Sequence, residues 1–328
     1  MNESERVRIA IECGWLVAGL PAVSFSHSLC NLLSGFGKAE EVYPMICGWT
    51  AFHRKNNPIE RAYHYTSIEG MEGILLTPVS VKTSLISNLC ANTDFSDMFA
   101  MGVKPVGSSN DSSEGGAYCK EIFELMLSDM LEEKLITESF VQLVSDVISR
   151  GDTYKKWPEI LEYMACFSAA RDSETMWKGY SNGQGVALGF DFQNSELLFP
   201  LMYLRTEQEF CVRKACEALC KIFNEEYMQG KDEVERAISA AFELFSGRFK
   251  KEDSVDEQEW RLRIIDEDNE FGDRVSDERL LVALPKSYLK EIICSPGTSN
   301  EQVEEIRRRL ESAGYSINVS TSLLTVAN

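Results

Sequence analysis

Residues 256–265 read DEQEWRLRII. Trp260, Leu262 and Ile264 recur at every second position, and Glu257, Glu259, Arg261 and Arg263 fill the places between. A period of two is that of a β-strand with one face in a core. The charged face has two readings. It is a salt-bridged edge, with Glu259 paired to Arg261 two residues on, or it is the floor of a cleft with Glu259 as a working carboxylate.

Other strand-like runs surround it. RAYHYT (61–66), VSVKTS (79–84), YMACFSAAR (163–171) and GVALGFDF (185–192) precede it, and 279–284, 290–294 and SINVSTS (316–322) follow. Helical periodicity is read at 4–18, 27–36, 117–150 and 206–248, the last broken near Gly230. Ser67 is placed to cap a helix bearing Ile68, Met71, Ile74 and Leu75. Ser299 and Gln302 have capping-box spacing, and Gly314 suits the end of that helix. KPVGSSNDSSEGG (104–116) reads as a loop. Strands cluster between long helices without regular alternation, so the expected class is α+β.

The chain has 328 residues, of which 44% are hydrophobic, enough for a sizeable core. Lys+Arg number 33 against 52 Asp+Glu, a formal net charge of −19. That balance argues against broad electrostatic binding to nucleic acid or anionic membrane, though one local basic patch would suffice for a nucleic-acid substrate. The ten cysteines form no C-x-x-C pair. Cys211, Cys216 and Cys220 lack the further ligands of a zinc set and read as core. With no secretory pattern and no apolar run of membrane-spanning length, a reducing cytoplasm is the expected location. No phosphate-binding G-x-x-x-x-G-K-[ST] loop and no G-x-S-x-G elbow occurs. The acidic helices at 121–138 and 225–243 read as solvated faces with one apolar stripe, or as insertions that recognise a macromolecule.

Two stretches carry a resemblance. CFSAARDSETMWKGYSNGQGVALGFD (166–191), together with EQEWRLRI (257–264) and LPKSYLKEIICSPGTSNEQVEEIRRRLESAGY (284–315), resembles the bacterial family known as domain of unknown function 2971. In addition, YHYTSIEGMEGILL (63–76) is similar to the opening of ADP-ribosyltransferase folds, where a strand bearing His runs into a helix. Those enzymes carry a His or Arg on the first strand, a Ser or Tyr on a middle one and a Glu on a late one, often as Glu-x-Glu. His64, then Ser168 or Tyr180, then Glu257 and Glu259 stand in that order.

The resemblance implies a split mixed sheet, an N-terminal helical extension over 1–55 and a catalytic domain over 56–328 with helical insertions at about 95–160 and 205–250. It implies NAD as substrate and a protein or nucleic acid as acceptor, as in a bacterial toxin or phage-defence effector. A cognate antitoxin or chaperone would fit as partner; a membrane would not. In this scheme Glu259 stabilises an oxocarbenium-like transition state and Glu257 takes or positions the nucleophile's proton. His64 donates to the ribose, with Tyr65 and Thr66 beside it on the cofactor side, although Tyr65 alternates away from His64 and also reads as core. Ser168 positions the glutamate, Trp177 or Tyr180 stacks on a ring, and Arg171, with Lys178, meets the pyrophosphate. Competing readings are ordinary packing for the aromatics, an ion pair for Glu259 and a satisfied core histidine for His64. The alternatives for the whole are a non-catalytic nucleotide- or partner-binding sensor, or a metal-dependent nuclease or hydrolase using Glu257 and Glu259.

Overall fold

Strand β7 (Glu259–Glu267) starts inside the DEQEWRLRII stretch. The residues before it form a 3-10 turn over Glu252–Glu257, and Gln258 between them adopts a left-handed backbone, φ 44° and ψ 48°. Glu257 is therefore off the strand, and its expected place in the strand's alternation is corrected. Trp260 and Leu262 are buried as their parity requires.

The computed structural model describes residues 59–77, 84–85, 97–105, 110–150, 160–181, 184–192, 198–226, 231–267 and 280–324. The expected 1–55 extension with its helices at 4–18 and 27–36, and residues 79–83 of the second expected strand, lie outside them. The remaining strands are β1 (Ala62–Thr66), β2 (Ser84–Leu85), β3 (Met98–Pro105), β4 (Ile160–Ser168), β5 (Val186–Phe190), β6 (Leu198–Pro200), β8 (Leu280–Pro285), β9 (Leu289–Cys294) and β10 (Asn318–Thr321). Helices are α1 (Ile68–Leu75), α2 (Asn110–Glu132), α3 (Glu138–Arg150), α4 (Glu174–Ser181), α5 (Arg205–Glu226), α6 (Lys231–Ser246) and α7 (Asn300–Ser312).

The class is α+β, built on a mostly antiparallel mixed sheet. Strands pair in the order β10-β9-β5-β1-β4-β3-β8-β2, with β7 on β4 and β6 on β7. Among the described strand pairs, only β10 with β9 and β2 with β8 run parallel. β7 covers the whole of one edge of β4, from Ile160↔Glu267 to Ser168↔Glu259. The other edge is shared: β3 pairs at Met164 and Tyr163, and β1 only at Ser168. β1 and β3 thus diverge from a common strand.

One face of the sheet packs on α1 and α7, burying Met71, Leu75, Phe167, Phe190, Trp260, Leu262, Ile306 and Leu310. Ser67 caps α1 by accepting from the Gly70 amide, and Ser299 with Gln302 closes a full capping box on α7. Gly314 ends that region with φ 84°, in the left-handed range that glycine tolerates best. The other face carries a small cluster of Tyr63, Tyr65, Met176, Trp177, Ala187 and Ile293 under α4.

Helices α2, α3, α5 and α6 bury a core of their own, including Phe123, Phe140, Val144, Cys119, Cys211, Cys216, Cys220, Ile238 and Phe249. The cysteines read as core are core. The segment read as a loop at 104–116 is corrected. It contains the end of β3 and, from Asn110, the first turns of α2. Weak local helix propensity at Gly115 is overridden by packing: a Cβ there would stand 3.2 Å from the Ser246 carbonyl oxygen, so α2 passes close to the end of α6. No helix among the described residues is long and apolar enough to cross a membrane.

Candidate functional site

Residues opposite one another in antiparallel strands share a face. Across five strands one row runs Glu291 (β9), Gly189 (β5), Tyr63 (β1), Ser168 (β4), Glu259 (β7). A buried carboxylate ends the row on either side, four strand spacings or about 19 Å apart. Helix α4 and the turn before it lie over the same face, with Arg171 reaching one end and Tyr180 the other.

At the β7 end, Glu259 is only 4% exposed. Its carboxylate accepts from Arg261 Nε at 2.6 Å and Lys250 Nζ at 2.7 Å, and its own amide donates to the Tyr203 hydroxyl at 2.8 Å. The same Lys250 Nζ lies 2.7 Å from Glu257 Oε2, which also accepts from Tyr180 OH at 2.9 Å. Arg261 donates onward to the Gly247 carbonyl at the end of α6, locking strand to helix bundle. Ser168 is fully buried; its hydroxyl donates to the Glu257 carbonyl at 2.6 Å and accepts from the Ala170 amide. It holds the backbone that carries both glutamates.

Burial alone would raise the Glu259 pKa, but Arg261 and then Lys250 outweigh it and hold the group at about 2. Glu259 is an anion at any physiological pH, suited to stabilising positive charge and unsuited to moving protons. Burial, and after it the Glu259 charge, pushes the Cys166 thiol up to about 12, so it stays protonated. Tyr203 is likewise pushed up to about 12, chiefly by burial.

Cys166, Tyr180, Lys250, Glu259 and Arg261 line a cavity of about 90 Å³, with Gly115 and Tyr118 of α2, Phe249, Lys251 and Ser254 completing the wall; Glu257 meets it through Lys250 and Tyr180. That is room for a few waters or one small group, and less than a dinucleotide needs. Gln208 ties the bundle to this wall. Buried in α5, it accepts from Tyr118 OH and donates to the carbonyls of Met202 and Lys250.

At the β9 end, Glu291 accepts from Arg61 at 2.7 Å, Tyr63 OH at 2.8 Å and Arg171 at 2.8 and 3.3 Å. Burial would raise its pKa, but Arg171, Tyr63 and Arg61 together bring it to about 2. The Tyr63 ring and the Glu291 stem both cross Gly189, where an added Cβ would meet them at 2.8 and 2.9 Å.

Ser168, Tyr180, Glu257 and Glu259 therefore come together, and the other expected residues do not join them. His64 lies only two strand spacings from Glu259 along the sheet, about 10 Å. By register, however, it points to the opposite face. There its ring packs on Phe167, and Nδ1 donates to the Cys166 carbonyl, in the gap where β1 and β3 part from β4. Thr66 shares that face and fills the space above Gly70. Tyr65 and Trp177 are buried edge-to-face at 4.7 Å, their polar ends bonded to the Ala170 carbonyl and to Asp172. Both are packing groups. Arg171 serves Glu291 at the far end of the row, and Lys178 is exposed and paired with Glu174. His27 and His53 lie outside the described residues.

Sequence reasoning passed over Lys250, Cys166, Tyr203, Tyr118 and Gln208. Only Cys166 left a signal, since it alternates with Ser168 on the same strand. Among the described residues no group of three or more His, Cys, Asp or Glu is placed to hold a metal ion. In comparisons with known proteins, no family model, curated protein or solved structure matches this chain, so the resemblance carried by 166–191 and 257–315 rests on those residues alone.

Proposed function

We propose that this protein is an NAD-dependent ADP-ribosyl-transferring enzyme working from the Glu257–Glu259 pocket. One observation carries the reading. Ser168, Tyr180, Glu257 and Glu259, from three separate segments and in the order the resemblance implies, form one hydrogen-bonded cluster, of which Tyr180 and Glu259 line the cavity and Glu257 and Ser168 support it from behind. The parting of β1 and β3 from β4 fits the split sheet of such enzymes.

In the reaction the bond between nicotinamide nitrogen and ribose C1′ breaks, its electron pair leaving with neutral nicotinamide. An acceptor nucleophile on a protein or nucleic acid then bonds C1′ and gives up its proton. Glu259, fixed and permanently ionised, faces the positive charge that develops on the ribose. Glu257 orients the nucleophile. Tyr180, 44% exposed at the cavity mouth, offers a ring to the nicotinamide. The cavity has room for one small group, so in this reading the nicotinamide–ribose end engages its mouth beside Tyr180 and the rest of the dinucleotide lies outside. His64 has no part in this pocket, which separates the proposal from the residue scheme the resemblance implies.

A left-handed non-glycine residue beside the site adds support, because such conformations persist where the surroundings impose them. Incubation with NAD labelled in its adenylate half, together with a bacterial lysate, tests the proposal. Label entering protein, RNA or DNA is the expected result; NAD left intact and unbound rejects it. One specific observation favours a second reading, a nucleotide sensor without turnover: both Glu259 oxygens already hold cations. Saturable NAD binding with no nicotinamide release would select it.

A further inference from the structure

The two pocket carboxylates are not held by a wall of neutral donors. One ammonium joins them, while Tyr180 OH donates to Glu257 and Arg261 to Glu259. Lys250 Nζ sits 2.7 Å from Glu257 Oε2 and 2.7 Å from Glu259 Oε2, at the cavity surface and at the end of a four-carbon stem. Arg261, by contrast, is anchored twice, to Glu259 and to the Gly247 carbonyl, and cannot leave without orphaning that carbonyl. The Lys250 ammonium is also held twice, but by the two carboxylates that an incoming cation would take over, so its departure orphans no carbonyl. Gln208 and the Met202 carbonyl fix its backbone, and the four-carbon stem between backbone and ammonium turns on rotatable bonds. Lys250 is 22% exposed at its side chain, so water can reach and take up the ammonium.

We infer that Lys250 is a displaceable internal counterion, and that the place it fills between Glu257 and Glu259 is a subsite for an organic monocation of the N-alkylpyridinium class. Such a ligand brings one delocalised positive charge on a flat ring. The pocket wall answers with the Glu259 carboxylate and the phenol ring of Tyr180, and Glu257 stands across Lys250 Nζ from Glu259. Entry exchanges one cation for another, so no buried carboxylate is left uncompensated, and withdrawal of the stem enlarges a cavity otherwise too small. A neutral ring of the same shape cannot make the exchange and is refused. This inference rests on the proposed function for its choice of pyridinium, and it goes further by naming what occupies the subsite when the ligand is absent.

The test uses the full chain, with 1-methylnicotinamide as the cationic probe and nicotinamide as the neutral control, both followed by calorimetry. Lys250→Met keeps the stem and removes the charge. It should bind 1-methylnicotinamide roughly tenfold more tightly than the native protein, a change that corresponds to one modest buried charge pair. Nicotinamide should gain nothing, and Lys250→Arg should behave as native. Equal affinity of native protein and Lys250→Met for the cation, or an equal gain for nicotinamide, overturns the inference. A measurement on the native chain stands independently of that variant's folding. Acylation of Lys250, followed by mass spectrometry, should speed up under saturating 1-methylnicotinamide; an unchanged or slower rate overturns the inference. Nicotinamide release from NAD with no Lys250 effect would reject this inference alone. A Lys250-dependent cation site without NAD turnover would reject the enzymatic reading alone.

Discussion

Glu259→Gln removes the negative charge that holds Lys250 and Arg261 together while keeping the side chain's volume. In the native protein the carboxylate is 5% exposed, with Arg261 at 10% and Lys250 at 22%. Breaking one partner of a buried pair costs about 3–5 kcal/mol. Lys250 keeps Glu257 as a second partner, and Arg261 keeps the Gly247 carbonyl, so the low end applies, about 3 kcal/mol. For a chain of this size that lowers Tm by about 4 °C. Thermal and urea unfolding by circular dichroism read it directly. Glu259→Gln combined with Lys250→Met should be less destabilised than the sum of the two single changes, with a coupling of about 1 kcal/mol or more. A Glu259→Gln protein within about 0.5 kcal/mol of native, with additive behaviour in the double variant, would refute the description of this network.

Three further outcomes follow from the geometry. Gly189→Ala forces a methyl against Tyr63 and Glu291 at 2.8 and 2.9 Å, and should cost about 1–3 kcal/mol in urea unfolding. Gln258→Gly relieves a left-handed backbone and should leave stability unchanged or raise it by up to about 1 kcal/mol, whereas Gln258→Val should lower it. Glu259 and Glu291 titrate near 2 when folded and near 4.5 when free. Their depressed values stabilise the fold above pH about 4.5, and that contribution is lost as pH falls toward 2; it amounts to about 3 kcal/mol for the buried Glu259 and less for Glu291, whose arginines are half exposed. Urea midpoints measured from pH 7 down to 3 should fall accordingly, and Glu259→Gln should flatten the slope.

Features set by near neighbours were legible in the sequence. The Ser67 cap, the Ser299–Gln302 box, the Gly314 stop and the alternation of Trp260 with Glu259 each depend on a few adjacent residues. What depends on pairing was not. His64 and Glu259 stand close along the sheet and face opposite ways because Tyr63, and not His64, registers with Ser168, a choice made across a hundred residues. Glu257 reaches Lys250 and Tyr180 although it is not on the strand. A 3-10 turn and the left-handed Gln258 bring it there, and nothing in EQE announces that conformation. Lys250 and Gln208 carry no pattern of their own. Their roles exist only where the bundle closes over the sheet. The loop reading of 104–116 failed because composition there favours a turn while packing of α2 against α6 favours a helix.

Nicotinamide release from NAD by the native chain, Glu257→Gln and His64→Asn tests the central claim most directly. Glu257 is the less buried of the two pocket carboxylates, and Asn at 64 can still donate to the Cys166 carbonyl. Release by the native protein, release at a similar rate by His64→Asn, and a loss of about 100-fold in Glu257→Gln are expected. Native-like release by Glu257→Gln, a loss confined to His64→Asn, or no release by the native protein would contradict it.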